Sequence, residues 1–203
     1  MKIIPLIVTL LFLIAAGTVS SPAQNATTVE PLLVYKALQD KDCWHWVDSV
    51  MDKLSFKEKV GQLFIYTIAP VDTKRNLELL REVIDTYKVG GLLFSGGKMQ
   101  NQVELTNRAQ RQAKVPLMIT FDGEWGLSMR LRGTPVFPRN MVLGCIRDNR
   151  LLYEYGREVA RQCRQIGVQV NFAPVADVNI NPKNPVITVS YTHLRAHETR
   201  SNL

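Results

Sequence analysis

The segment Phe121-Asp122-Gly123-Glu124-Trp125-Gly126 holds the residue types best suited to chemistry. In extended backbone, residues two apart point to the same side, which would put Asp122 and Glu124 on one face with Cα atoms ~6.6 Å apart. Two carboxylates at ~6.5–9.5 Å suit an inverting glycosidase, and at ~5–5.5 Å a retaining one. The spacing fits equally well one acid that binds a ligand hydroxyl beside another that pairs with an arginine, the commoner role for neighbouring acids in loops. Trp125 follows directly, and an indole face suits the apolar face of a sugar ring or the rim of a packed core. Arg130 lies eight residues after Asp122, with a planar fork that fits carboxylates and hydroxyls. Arg132 and Arg139 compete for that role.

Other candidates are weaker. Asp177 closes the run Asn171-Phe172-Ala173-Pro174-Val175-Ala176-Asp177, where an Asp that ties its loop by backbone hydrogen bonds is the simpler reading. His45 has no partner that would make a triad. G-x-S-x-G, H-E-x-x-H and P-loop patterns are absent. The three cysteines, Cys43, Cys145 and Cys163, form no CxxC pair and give no metal or disulfide framework. Cys163 falls on an apolar helix face and reads as a small buried hydrophobe; a Cys43–Cys145 pairing stays open.

Alternating helices and strands must position these residues. Trp46 to Leu54 has helical spacing, and Ser55 with Glu58 is a capping box that starts another helix. Leu63 to Ile68 is expected to be a short buried strand. Helical patterns over 72–87, 102–114 and 151–166 alternate with apolar strands at 92–94, 117–121 and 168–172. Gly90 and Gly91 end the first of these helices, and Gly167 caps the last. Short apolar strands between helices imply a parallel sheet buried on both faces, in either a doubly wound sheet or a (β/α)8 barrel. No G-x-G-x-x-G follows the first strand, so dinucleotide binding has no support. Ser95, Asp122, Glu124, Asp177 and Asn179 gather just past strand ends, the active-site face of a barrel.

The chain has 203 residues and a formal charge of +7, scattered without a basic stripe, which excludes a nucleic-acid footprint. Lys2, the apolar run Ile3 to Ala16 and small residues up to Ala23 read as a secretory leader over residues 1–24, shorter than the ~20 residues of a membrane span. A secreted or periplasmic location follows, with residues 25–44 as a lead-in to the fold.

Several ordered segments carry a family resemblance. They are Leu54-Ser55-Phe56-Lys57-Glu58-Lys59-Val60-Gly61-Gln62-Leu63, Val89-Gly90-Gly91-Leu92-Leu93-Phe94, Asp122 to Gly126, Phe137-Pro138-Arg139-Asn140-Met141, and Gly167 to Ile187. Together they resemble the N-terminal barrel of family 3 glycoside hydrolases, and are most similar to its β-N-acetylhexosaminidase branch. The resemblance implies the N-terminal half of a TIM barrel, about four βα units over residues 45–188. It implies a carbohydrate partner, specifically a β-linked aminosugar, with no cofactor and no nucleic acid. It implies that Asp122 binds hydroxyls of the sugar at the cleaved end and that Arg130 lines the same subsite.

The resemblance does not make Asp122 the nucleophile. That group is an Asp on a later strand in the family, beyond a Lys-His-Phe-x-Gly segment not found here, and the acid/base is a His on a loop or a Glu from a following domain. The family mechanism is retaining, so the close Asp122/Glu124 pair is not its catalytic pair. No catalytic residue is therefore assigned in this chain, which is expected to be inactive without the rest of the barrel. Trp125-Gly126-Leu127 stands where the branch usually has Gly-Gly-Arg, which puts its substrate contacts in doubt. β-Glucosidase activity and non-catalytic sugar binding are the alternatives.

The last segment, 189–203, departs from the family and resembles the translation of a sequencing-library adapter. Its His193, His197 and Glu198 have metal-like spacing, but nothing earlier supports a metal site. Half a barrel leaves sheet edges and core uncovered, both aggregation hazards.

Overall fold

A computed structural model describes residues 39–175 and Lys183. The leader, Asp177, Asn179 and the tail from Val189 lie outside the described residues. Two compact units divide the chain at Asp48 and Ser49. Helix α1, Lys41–Asp52, crosses that division and buries no residue.

In the second unit α2, Phe56–Gly61, begins as expected. Ser55 accepts from the Glu58 backbone N–H, and the Glu58 carboxylate accepts the Ser55 backbone N–H at 2.9 Å. Then follow β1 (Ile65–Ile68), α3 (Lys74–Asp85), β2 (Gly91–Phe94), β3 (Gly97–Lys98) and α4 (Met99–Gln112). The remainder is β4 (Met118–Phe121), a 3-10 turn (Leu127–Met129), β5 (Leu131–Arg132), α5 (Asn140–Leu143), α6 (Asn149–Gln165) and β6 (Val170–Asn171). The main sheet is parallel, with order β1-β2-β4-β6, so each helical crossover returns to the neighbouring strand. The parallel pair β3–β5 is a second small sheet that no periodicity announced, since each strand has only two residues.

Alternation along the strands sets the core. Ile68, Leu92, Phe94, Ile119 and Phe121 are buried together with Leu80, Val83 and Ile84 of α3, Leu105 and Ala109 of α4, and Val159 and Cys163 of α6. Thr120, between Ile119 and Phe121, is buried as well, while the first residues of β1 and β4 are less covered. Ile65 is 42% exposed and Met118 43%, in the same register row as Gly91. Burial on both faces was expected of these strands; it fails for β1, which has one buried residue among its four. β1 is an edge strand of an open sheet, so one side meets no neighbouring strand.

Close backbone approach fixes two glycines. A Cβ on Gly61 would lie 2.0 Å from the Tyr87 carbonyl oxygen, and one on Gly90 2.0 Å from that of Gln62. The end of α2 thus rests directly on the chain entering β2, and Gln62 Nε2 donates to the Lys88 carbonyl at 2.6 Å. Gly91, expected to help end a helix, is the first residue of β2. All three cysteines are free, Cys163 among the buried residues of α6.

Candidate functional site

The loop after β4 is built from side chains that grip backbone. β4 ends at Phe121, and residues 124–125 form a turn. Extended alternation therefore stops before Glu124, and the shared face expected for Asp122 and Glu124 rests on backbone that is not extended. Asp122 pairs with Arg130 instead, through the Arg130 Nη2 and the Asp122 Oδ2. Arg130 Nε also donates to the Asp122 backbone carbonyl at 3.3 Å. Both side chains stay about one-third exposed, at 32% for Asp122 and 38% for Arg130, so the pair faces solvent at the C-terminal end of the sheet. An exposed pair of this kind contributes about 0–1 kcal/mol to stability. Its value lies in orienting two polar groups toward anything that enters.

Further contacts hold the loop. The Gly123 N–H donates to Asn171 Oδ1 at 2.9 Å, and Asn171 Nδ2 donates back to the Gly123 carbonyl at 3.1 Å. One amide thus clamps both backbone polar groups of a single loop residue to β6. Gly126 has φ 94°, and a Cβ there would meet the Phe137 ring at 2.9 Å. Leu127 is buried in the core. The Tyr155 hydroxyl, on α6, donates to the Glu124 carbonyl at 3.4 Å, and burial pushes that phenol up to about 12. Glu124 carries a buried Oε2 without a hydrogen-bond partner.

The competing arginines separate clearly. Arg139 places its guanidinium 5.6 Å from the centre of the Trp125 ring, and Arg132 is exposed on β5. Asn171 and Tyr155 shape the loop, yet nothing in their spacing marked them; they reach it across as many as 48 positions. His45 is exposed on α1. Among the described residues no cluster of three or more His, Cys, Asp or Glu could hold a metal, and no helix is long and apolar enough to cross a membrane.

A concavity of about 870 Å³ lies elsewhere. It runs along α6 and the outer flank of β6, past Leu152, Val159 and Cys163, and touches the loop only at Gly123 and Glu124. Its apolar lining is the flank on which a further helix and strand of a closed barrel would pack. Asp122 and Arg130 are not part of it, so their geometry and not the concavity defines the site.

Comparison with known proteins decides the family. The profile of the "Glycosyl hydrolase family 3 N terminal domain" matches residues 55–197. The chain belongs to glycoside hydrolase family 3. Among family 3 relatives, "Beta-hexosaminidase A" of Pseudoalteromonas piscicida is 32% identical over 54% of this chain and 21% of its own length. "Beta-N-acetylglucosaminidase/beta-glucosidase" of Cellulomonas fimi is 27% identical over 72% of this chain and 25% of its own. Among solved structures, "Beta-glucoside phosphorylase BglX bound to 2FGlc" superposes with a TM-score of 0.65 at 26% identity, over 72% of this chain and 26% of that one. The family 3 chain here thus spans about a quarter or less of the length of these relatives. Its parallel sheet with helical crossovers is the N-terminal half of the family's (β/α)8 barrel, the architecture expected from the sequence.

Proposed function

We propose that this chain supplies the sugar-binding half of a barrel that hydrolyses β-glycosidic bonds, with a terminal N-acetylhexosamine as substrate. Asp122 accepts hydrogen bonds from the sugar hydroxyls and Arg130 donates to them. The observation that carries this reading is the solvent-facing Asp122–Arg130 pair at the C-terminal end of β4, the end where barrel enzymes place their ligands. Arg130 also argues against Asp122 as the nucleophile: a carboxylate already engaged by a guanidinium is poorly placed for attack and well placed to orient a ligand. The nucleophile and the acid/base belong, on this reading, to strands and loops beyond those described. The leader over residues 1–24 supports export to the periplasm or the exterior. Glucoside cleavage is the second reading, favoured by the relative whose name carries both activities.

The test is hydrolysis of an aryl N-acetyl-β-glucosaminide against an aryl β-glucoside by the full-length gene product. The aminosugar is expected to turn over faster. Asp122→Ala is expected to lower kcat/KM by ~10²-fold or more, because buried hydroxyl contacts are lost. Equal or faster glucoside turnover would move the assignment to the second reading, and an unaffected Asp122→Ala enzyme would remove Asp122 from the subsite.

A further inference from the structure

We propose that Trp125 is a specificity-determining wall of this sugar site, backed on one face by Arg139 and receiving the C–H face of a pyranose on the other. The inference rests on the reading of Asp122 and Arg130 as the hydroxyl-binding pair.

Four observations converge on it. The first is placement. Trp125 lies inside the loop that the Asp122–Arg130 pair closes, three residues from one partner and five from the other. The second is restraint. The loop is pinned on both sides of Trp125, by the Asn171 clamp on Gly123 and by Leu127 in the core, with Gly126 wedged against Phe137 between them. The indole is therefore presented by fixed backbone.

The third is that the core does not use the ring. The core cluster takes in Leu127, Leu131 and Val159 and packs Phe137 and Tyr155 at its margin; Trp125 is in neither group and remains partly exposed. A large ring left out of the core, beside a polar pair, is the composition of a ligand pocket. The fourth is Arg139, with its guanidinium 5.6 Å from the ring centre. A cation over one face of an indole holds it in place and restricts contact to the opposite face. The Arg139 backbone in turn caps the start of α5, which fixes the base of that side chain.

The chemistry selects a ligand class. A pyranose with equatorial substituents has a contiguous patch of axial C–H groups, which an aromatic face covers well. Its hydroxyls then project sideways, where Asp122 accepts and Arg130 donates. Acyclic polyols have no such face and would gain nothing from the ring.

The test uses the 203-residue chain with methyl N-acetyl-β-glucosaminide, and sorbitol as the acyclic control. Binding is read by calorimetry and by indole emission, with Trp44→Phe and Trp46→Phe leaving Trp125 as the sole tryptophan. Expected is saturable binding of the glycoside and not of sorbitol, with an emission change that follows the same isotherm. Trp125→Leu, which keeps apolar volume but no ring, should weaken binding roughly five- to tenfold, and Trp125→Phe should recover most of it. Glycoside heat with silent Trp125 emission overturns the wall and leaves the Asp122–Arg130 reading standing, as does a Leu variant that binds as tightly as the parent. Absence of any glycoside heat overturns both. If Trp125→Leu fails to melt cooperatively, the emission isotherm of the unsubstituted ring decides alone.

Discussion

Asn171 shows how a single side chain sets loop geometry. Its amide satisfies both the N–H and the carbonyl of Gly123. Asn171→Asp replaces the donating Nδ2 with an oxygen that faces the Gly123 carbonyl, so attraction becomes repulsion. The expected cost is about 1–3 kcal/mol, readable as a lower midpoint in urea unfolding. Asn171→Ala should cost less, because it removes the contact without adding a repulsive one. At this scale the sequence was legible only in part. Asp122 and Arg130 stood out because a carboxylate and a guanidinium near a strand end have an obvious use, and they do meet. Asn171, in a strand of ordinary composition, gave no sign, since its partner is a backbone unit that any residue would offer. Glu124 misled for a related reason: the two-residue spacing that would align it with Asp122 holds only in extended chain, and the backbone turns there.

Local rules read well at the level of elements. The capping box at Ser55 was visible as residue types three apart and forms as expected. Ser55→Ala is expected to cost about 1 kcal/mol, measured by thermal melting. α6 shows a second local device. Hydrogen bonds from Arg161 and Gln162 hold the Glu158 carboxyl at about 2, below its ordinary 4.5. A depressed carboxyl contributes stability that is present above its unfolded value and lost as pH falls through the folded one. The Tm difference between the parent and Glu158→Gln should therefore be positive at pH 7 and shrink between about pH 4.5 and pH 2; circular dichroism checks it. The exposed setting keeps that difference small. Helices were legible because apolar residues recur along one face, and most strands because they are short apolar runs between glycines. β1 exposes Ile65 and Tyr66 where burial was expected, because a local pattern records how apolar a strand is and not whether a neighbour covers it. The β3–β5 pair is too short to carry any period.

For the molecule as a whole, the uneven covering of the sheet has the largest effect. The middle strands have neighbours on both sides, while apolar side chains are exposed beside both edge strands: Leu63, Phe64 and Ile65 at β1, and Phe172 at β6. Exposed edges with apolar side chains are templates for association. The isolated chain is expected to bind a hydrophobic dye and to grow in apparent mass with concentration. Ile65→Lys combined with Phe172→Lys should suppress that growth without loss of helical signal, as seen by light scattering and circular dichroism. The Asn171 clamp has a temporal side as well. Gly123 and Asn171 are 48 positions apart, and a chain made from its N-terminus exposes the loop long before the residue that fixes it. During synthesis Asp122, Trp125 and Arg130 emerge first on a slack loop. On the proposed reading they become a binding surface only when β6 arrives, so a lesion that delays or diverts β6 would erase that surface while leaving every one of its residues intact.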